Sequence, residues 1–178
     1  GVSACATCDG FFYRDKVVYM VGGGDTAAEE ALFLTKFAKK VYLVHRRDEL
    51  RASKPMIKKV LESDKIEMVW DSEVIEILSD MKGVNGIKIK NKKTNTVTKH
   101  DTDGLFVAIG HNPNTSFLNG QLELDHEGFI VTKGGHPDTS VQGVFACGDV
   151  QDPYYRQAIS AAGSGCQAAI RAERFLSE

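Results

Sequence analysis

Cys5 and Cys8 stand two residues apart in Ser3-Ala4-Cys5-Ala6-Thr7-Cys8-Asp9-Gly10. A pair so spaced can grip a metal, staple a loop or exchange electrons as a dithiol. The other two cysteines, Cys147 and Cys166, lie far from the pair and from each other. A structural zinc site wants four ligands at tight spacing, so zinc is a weaker reading than redox exchange, and an inert pair of buried thiols is equally weak. No metal is expected, and the jobs of Cys147 and Cys166 stay open.

A second group of residues suits an anion. Gly22, Gly24 and Ala27 fall on the G-x-G-x-x-A spacing: the first permits a tight turn, the second lets backbone approach a pyrophosphate, and the third lets a helix pack closely on a strand. Asp25 and Thr26 open that helix, whose N-terminal N–H groups then face the phosphates. A tight structural turn is the plainer alternative. About twenty residues on, an acidic residue would select NAD by its ribose hydroxyls, whereas arginine would accept the 2'-phosphate of NADP. The chain offers His45, Arg46 and Arg47, with Arg51 one helical turn further. Guanidinium forks match phosphate oxygens and stay charged, which favours NADPH. The alternative is a solvated basic face continuing into Lys54, Lys58 and Lys59.

These groups need elements to carry them. Lys16–Val21 reads as a buried strand and Ala28–Phe37 as a helix, with Val41–His45 returning as a second strand; together they begin a parallel βαβ unit. Ser53 reads as a helix cap with Pro55 in the first turn. Ile66–Trp70 and Val74–Leu78 read as strands, and Val84–Lys90 with Thr96–His100 as an exposed hairpin. Leu105–Gly110 reads as a buried strand, broken by the turn residues His111–Thr115, and Gly143–Cys147 as a second apolar strand ending at Gly148 and Asp149. Arg156–Leu176 reads as a long helix rich in Ala and Gly, able to approach a sheet or cofactor closely. The expected fold class is α/β: a Rossmann-like NAD(P)-binding domain over 1–103 and part of a second Rossmann-like domain over 104–178, the boundary being a matter of a few residues.

Composition sets the surroundings. With 178 residues, 42% of them hydrophobic and 26% charged, the chain can bury a core. A formal net charge of −2 gives no pull toward nucleic acid or an anionic membrane. No apolar run approaches the roughly 20 residues of a membrane-spanning helix, and nothing reads as a signal peptide. A soluble, cytoplasmic protein is expected.

The motifs "ACATCDG", "GGGDTAAEEA", "HRRDELRAS", "FVAIGHNPNT" and "GVFACGDVQDPYYRQAISAAGSGCQAA", in that order, make the chain resemble the low-molecular-weight thioredoxin reductases along essentially its whole length. In that family NADPH passes a hydride to FAD, the reduced flavin opens the CxxC disulfide, and the dithiol reduces thioredoxin. The resemblance implies that Cys8 lies against the flavin, that Cys5 attacks the substrate and that Asp9 donates or accepts the proton. It implies that Asp149, after Gly148, bonds the ribityl or phosphate part of FAD, and that Arg156, Gln157 and Ala158 sit beside the isoalloxazine. Asp9 could instead only shape a turn with Gly10, and Asp149 could be an ordinary loop residue. It further implies thioredoxin as partner and a homodimer. A reductase of a peroxiredoxin-like partner, or a redox-inert NADP-binding module with a structural CxxC, would show the same core residues. The family's earlier glycine-rich FAD segment is missing and Gly1 stands where a methionine would start, so an excerpt is expected: the NADPH and disulfide domain plus the end of a discontinuous FAD domain, inactive by itself.

Overall fold

The computed structural model describes residues 1–177. These divide into two compact units, Gly1–Gly110 and the residues from His111 onward. The first unit runs β1 (Val2–Ser3), α1 (Ala6–Asp9), a 3-10 turn (Gly10–Tyr13), β2 (Val17–Gly22), α2 (Asp25–Leu34), β3 (Lys40–Val44), α3 (Lys54–Leu61), β4 (Ile66–Val69), β5 (Ser72–Asp80), β6 (Gly83–Asn91), β7 (Val97–Asp101) and β8 (Gly104–Ala108).

Five strands pair in the order β1-β8-β2-β3-β4, all parallel. Their apolar runs explain why: Val18, Met20, Val41, Leu43 and Phe106 are fully buried, as a parallel sheet covered by crossover helices requires. α2 supplies Ala27, Ala28, Ala31 and Leu34 to the same core, the three alanines letting the helix lie close to the sheet. The other face carries Tyr19, Val44 and Leu105 against Ile87 and Ile89 of the antiparallel sheet β5-β6-β7.

β2 lies between β3, reached directly through α2, and β8, which arrives much later in the chain. The strand order therefore reverses at β2, and a crevice opens at the carboxyl ends of β2, β3 and β8 as in other doubly wound sheets.

Two expectations shift. The division of the chain falls after Gly110, later than residue 103, because β8 pairs with β1 and β2 and buries Leu105 and Phe106 in the first unit. The strand expected over Gly143–Cys147 does not form; only an isolated bridge joins Asp138 to Phe145. Gly143 and Gly148 both take positive φ, 79° and 72°, which turns the chain at either end of the apolar run before a ladder can extend.

The second unit is otherwise loops, two 3-10 turns (Ser116–Leu118 and Gly148–Gln151) and α4 (Ala158–Ser177). α4 starts two residues later than expected, since Arg156 has φ 48° and cannot continue a right-handed helix. Among the described residues no helix is long and apolar enough to cross a membrane, and no three His, Cys, Asp or Glu side chains cluster as a metal site would need.

Candidate active site

Cys5 and Cys8 form a disulfide across a single helical turn, their Cα atoms 5.3 Å apart. Cys5 is the N-cap of α1, and its Sγ accepts the Cys8 N–H at 3.2 Å. The Ser3 hydroxyl oxygen accepts the Cys5 N–H at 3.0 Å. The segment is anchored from both sides: Ala6 and Gly10 are buried beside α2, Gly10 against the side chains of Leu34, Phe33 and Phe37, and the Tyr13 ring meets Phe106 edge-on at 5.1 Å. The two residues differ in exposure, Cys5 being half-buried and Cys8 exposed. Asp9 ends α1, half-buried, and its N–H donates to the Cys5 carbonyl at 3.1 Å. Phe11 and Phe12 follow closely in the chain, 60% and 69% exposed, an apolar pair that spacing alone did not single out.

The crevice at the carboxyl ends of the parallel strands is a cavity of about 440 Å³. Gly22, Gly24, Thr26, His45, Arg46 and Arg51 line it together. Each glycine has a distinct reason. A Cβ on Gly22 would strike the Ala108 carbonyl and the Ala27 methyl, so close strand–helix packing forbids one. A Cβ on Gly23 would enter the His45 ring. Gly24 has open space around its missing Cβ and caps α2 with no side chain, so the helix's first N–H groups face the cavity.

The arginine segment is tied to this loop, for the Arg51 N–H donates to the Gly23 carbonyl at 2.7 Å. No salt bridge joins Arg46, Arg47 or Arg51 to a carboxylate among the described residues. Their neighbour Asp48 is by contrast held by Lys93 at 2.9 Å, which also grips Asp71. His45 is 5% exposed and its Nε2 has no partner. Burial lowers its pKa from the ordinary 6.5, with the guanidiniums of Arg51 and Arg46 acting in the same direction and hydrogen bonds to the Gly22 and Glu49 backbone opposing them. Glycine loop, open helix end and unpaired guanidiniums fit a phosphorylated dinucleotide.

Other residues picked from the motif take supporting places. Asp25 is exposed and accepts the Ser53 N–H at 2.9 Å, holding the start of α3; that bond lowers its carboxyl pKa. Ser53 stands at the N-cap position but makes no side-chain cap bond itself. Ala27 is buried beneath Gly22. Arg47 is exposed, its carbonyl held by the Asp71 N–H at 3.1 Å, and does not line the cavity. The sequence reading missed Ser72, Glu73 and Val74 of β5, which complete the cavity wall from the antiparallel sheet. No local spacing could have found them, because the approach is purely tertiary.

In the second unit Asp149 and Arg156 share a cavity of about 360 Å³ with His111, Asn112, Asn114 and Phe129. Gln157 and Ala158 are exposed and outside it. The Asp152 carboxylate shapes this turn by accepting the N–H groups of Tyr154, Tyr155 and Arg156 at 3.0, 2.9 and 3.0 Å, bonds that lower its pKa against the cost of burial. The set could meet one polar part of a flavin cofactor. Among the described residues of this unit no strand leads through a glycine turn into a helix, so a whole dinucleotide has no pyrophosphate cradle here.

Comparison with known proteins bears on both sites. The chain is 56% identical over 178 residues to the thioredoxin reductase of Chlamydia trachomatis and 57% identical over 179 residues to that of Dictyostelium discoideum. It is covered to 99% in each case but spans only 57% and 56% of those proteins. Two solved structures are similar: thioredoxin reductase from Giardia duodenalis (TM-score 0.83, 50% identity, 100% of this chain and 58% of that one) and from Streptococcus pyogenes (0.89, 46%, 99% and 57%). With residues 1–165 matching the family as a whole, this chain belongs to the pyridine nucleotide-disulphide oxidoreductases.

Proposed function

We propose that the chain forms the nicotinamide and disulfide part of an NADPH-dependent thioredoxin-disulfide reductase, with thioredoxin as its protein substrate. The observation that carries this reading is the presence, within one unit, of a partly exposed Cys5–Cys8 disulfide and a glycine–arginine cavity for a phosphorylated nucleotide. The relatives named above support the assignment.

Arg46 and Arg51 would bind the 2'-phosphate of NADPH, Arg47 adding charge from the rim, while Gly22, Gly24 and the start of α2 seat the pyrophosphate. FAD, when bound, supplies the two-electron relay between nicotinamide and disulfide. Asp149 and Arg156 would hold part of it, with Gly148 shaping the turn and Gln157 and Ala158 at its edge. Cys8 would face the flavin and Cys5 would attack thioredoxin. Once the S–S bond opens, the N–H groups at the start of α1 stabilise a thiolate there. Asp9, at the end of the same turn, would move the proton. A cytoplasmic homodimer belongs to the same proposal, supported by the family resemblance and by Ile159, Ile170 and Leu176 exposed along α4.

The test is a thiol titration of the flavin-loaded protein before and after NADPH. Opening the one disulfide should add two titratable thiols per chain. An unchanged count would leave a redox-inert nucleotide-binding protein. Turnover of a peroxiredoxin-like disulfide and not of thioredoxin would reassign the partner.

A further inference from the structure

Glu30 belongs to α2, the helix whose start faces the nucleotide cavity, yet its side chain turns to the redox segment. Its Oε1 accepts the Ala6 N–H at 3.4 Å, and its Oε2 is buried with no partner. Ala6 is fully buried and is the first residue of α1, placed between the two sulfur-bearing positions. Burial pushes the Glu30 carboxyl up from its ordinary 4.5, only partly offset by the Ala6 hydrogen bond. A half-satisfied carboxyl inside a helix interface costs stability that an apolar side chain there would not. The neighbouring Glu29, one position earlier, is exposed and carries no such cost.

We propose that Glu30 is a positioning residue for the Cys5/Cys8 couple: its carboxyl oxygen fixes the Ala6 N–H to α2 and so keeps the two thiols at closing distance when the disulfide is open. The inference needs only that the pair can be reduced, so it stands or falls separately from the identity of the electron donor and of the protein substrate. A tether of this kind raises the effective concentration of one sulfur at the other. Disulfide closure removes two electrons and two protons from the thiols and makes one S–S bond. In equilibrium with dithiothreitol both pass to the reagent's own disulfide, whose S–S bond breaks.

The experiment measures that equilibrium by thiol alkylation in the chain and three variants. Glu30→Gln keeps an uncharged acceptor at the same reach and should stay within about twofold of the parent. Glu30→Asp, shortened by one methylene, and Glu30→Ala should each shift the equilibrium about fivefold toward the dithiol, the size expected for one lost hydrogen bond. Thermal unfolding of each variant runs alongside. A purely architectural side chain would lower the unfolding midpoint and leave the thiol equilibrium where it was, and that result overturns the proposal. So does a shift in Glu30→Gln as large as in Glu30→Asp, which would assign the effect to charge. Should Glu30→Ala fail to fold, Glu30→Asp against Glu30→Gln carries the comparison.

Discussion

The two units treat their apolar side chains in opposite ways. In Gly1–Gly110 the strands and α2 bury one another: Val18, Met20, Leu34, Val41, Leu43 and Phe106 are fully enclosed, and a second cluster fills the space between the sheets. Among the described residues of the other unit one small cluster of Leu122, Ile130 and Ala146 closes, and α4 buries only Ala168 of its twenty residues. Ile159 and Leu176 on that helix are 86% and 83% exposed. An apolar helix stripe is stabilising only when another element covers it. The unit that carries the disulfide thus holds its own core, whereas the one with Asp149 and Arg156 leaves apolar side chains of α4 exposed.

The largest effect that would sharpen this contrast concerns binding. Replacing Arg46 and Arg51, which both line the cavity, together by alanine should weaken NADPH by at least about 3 kcal/mol, since each charge-assisted bond to phosphate contributes about 1.5–3 kcal/mol. NADH affinity should change little, and Arg156→Ala in the second unit should leave NADPH affinity unaltered. Calorimetric titration of the parent and the double variant with each nucleotide, and of Arg156→Ala with NADPH, checks this. Equal losses for NADPH and NADH would make the arginines structural, and a loss in Arg156→Ala would break the separation of the two sites.

Next in size is Gly22→Val. The added side chain meets the Ala108 carbonyl and the Ala27 methyl, so sheet and helix must part, at a cost of about 2 kcal/mol. Trp70, the one tryptophan, packs against the first unit's core and reports its unfolding in urea. A change below about 0.5 kcal/mol would put the glycine among ordinary surface positions and contradict the packing argument.

The smallest effect is expected where the second unit is bare. Ile159→Ser should alter the stability of the chain by less than about 0.5 kcal/mol, because the side chain has little burial to lose. The same variant should reduce any concentration-dependent association seen by sedimentation. A destabilisation of 2 kcal/mol would mean that α4 is covered after all, and the contrast between the units would fail.

Much of the first unit was legible before its structure. The runs Lys16–Val21, Val41–His45 and Leu105–Gly110 became β2, β3 and β8 with edges moved by a residue or two, because buried parallel strands are continuous apolar stretches bounded by turns. Pro55 and Ser53 marked the start of α3 by the same local logic. Gly143–Cys147 has an equally apolar run and is no strand. Strand formation needs a partner edge, and composition cannot say whether one is present. Arg156 had the pattern of a helix start, yet three N–H bonds onto Asp152 hold it and the two residues before it in a turn.

The sequence by itself determined the local chemistry: a CxxC able to cross-link over one turn, a glycine turn opening a helix, and guanidiniums spaced to meet a phosphate. Each depends on neighbours within a few residues, where backbone geometry fixes what can touch. Only the tertiary structure decided that β8 slots between β1 and β2, so that the chain divides after Gly110 and the crevice forms at the strand ends. It alone brought Ser72–Val74 across to wall the cavity and set the Glu30 carboxyl under Ala6, 24 residues away. Such approaches follow from which apolar faces find one another, a sum over the whole core that no short window of residues contains.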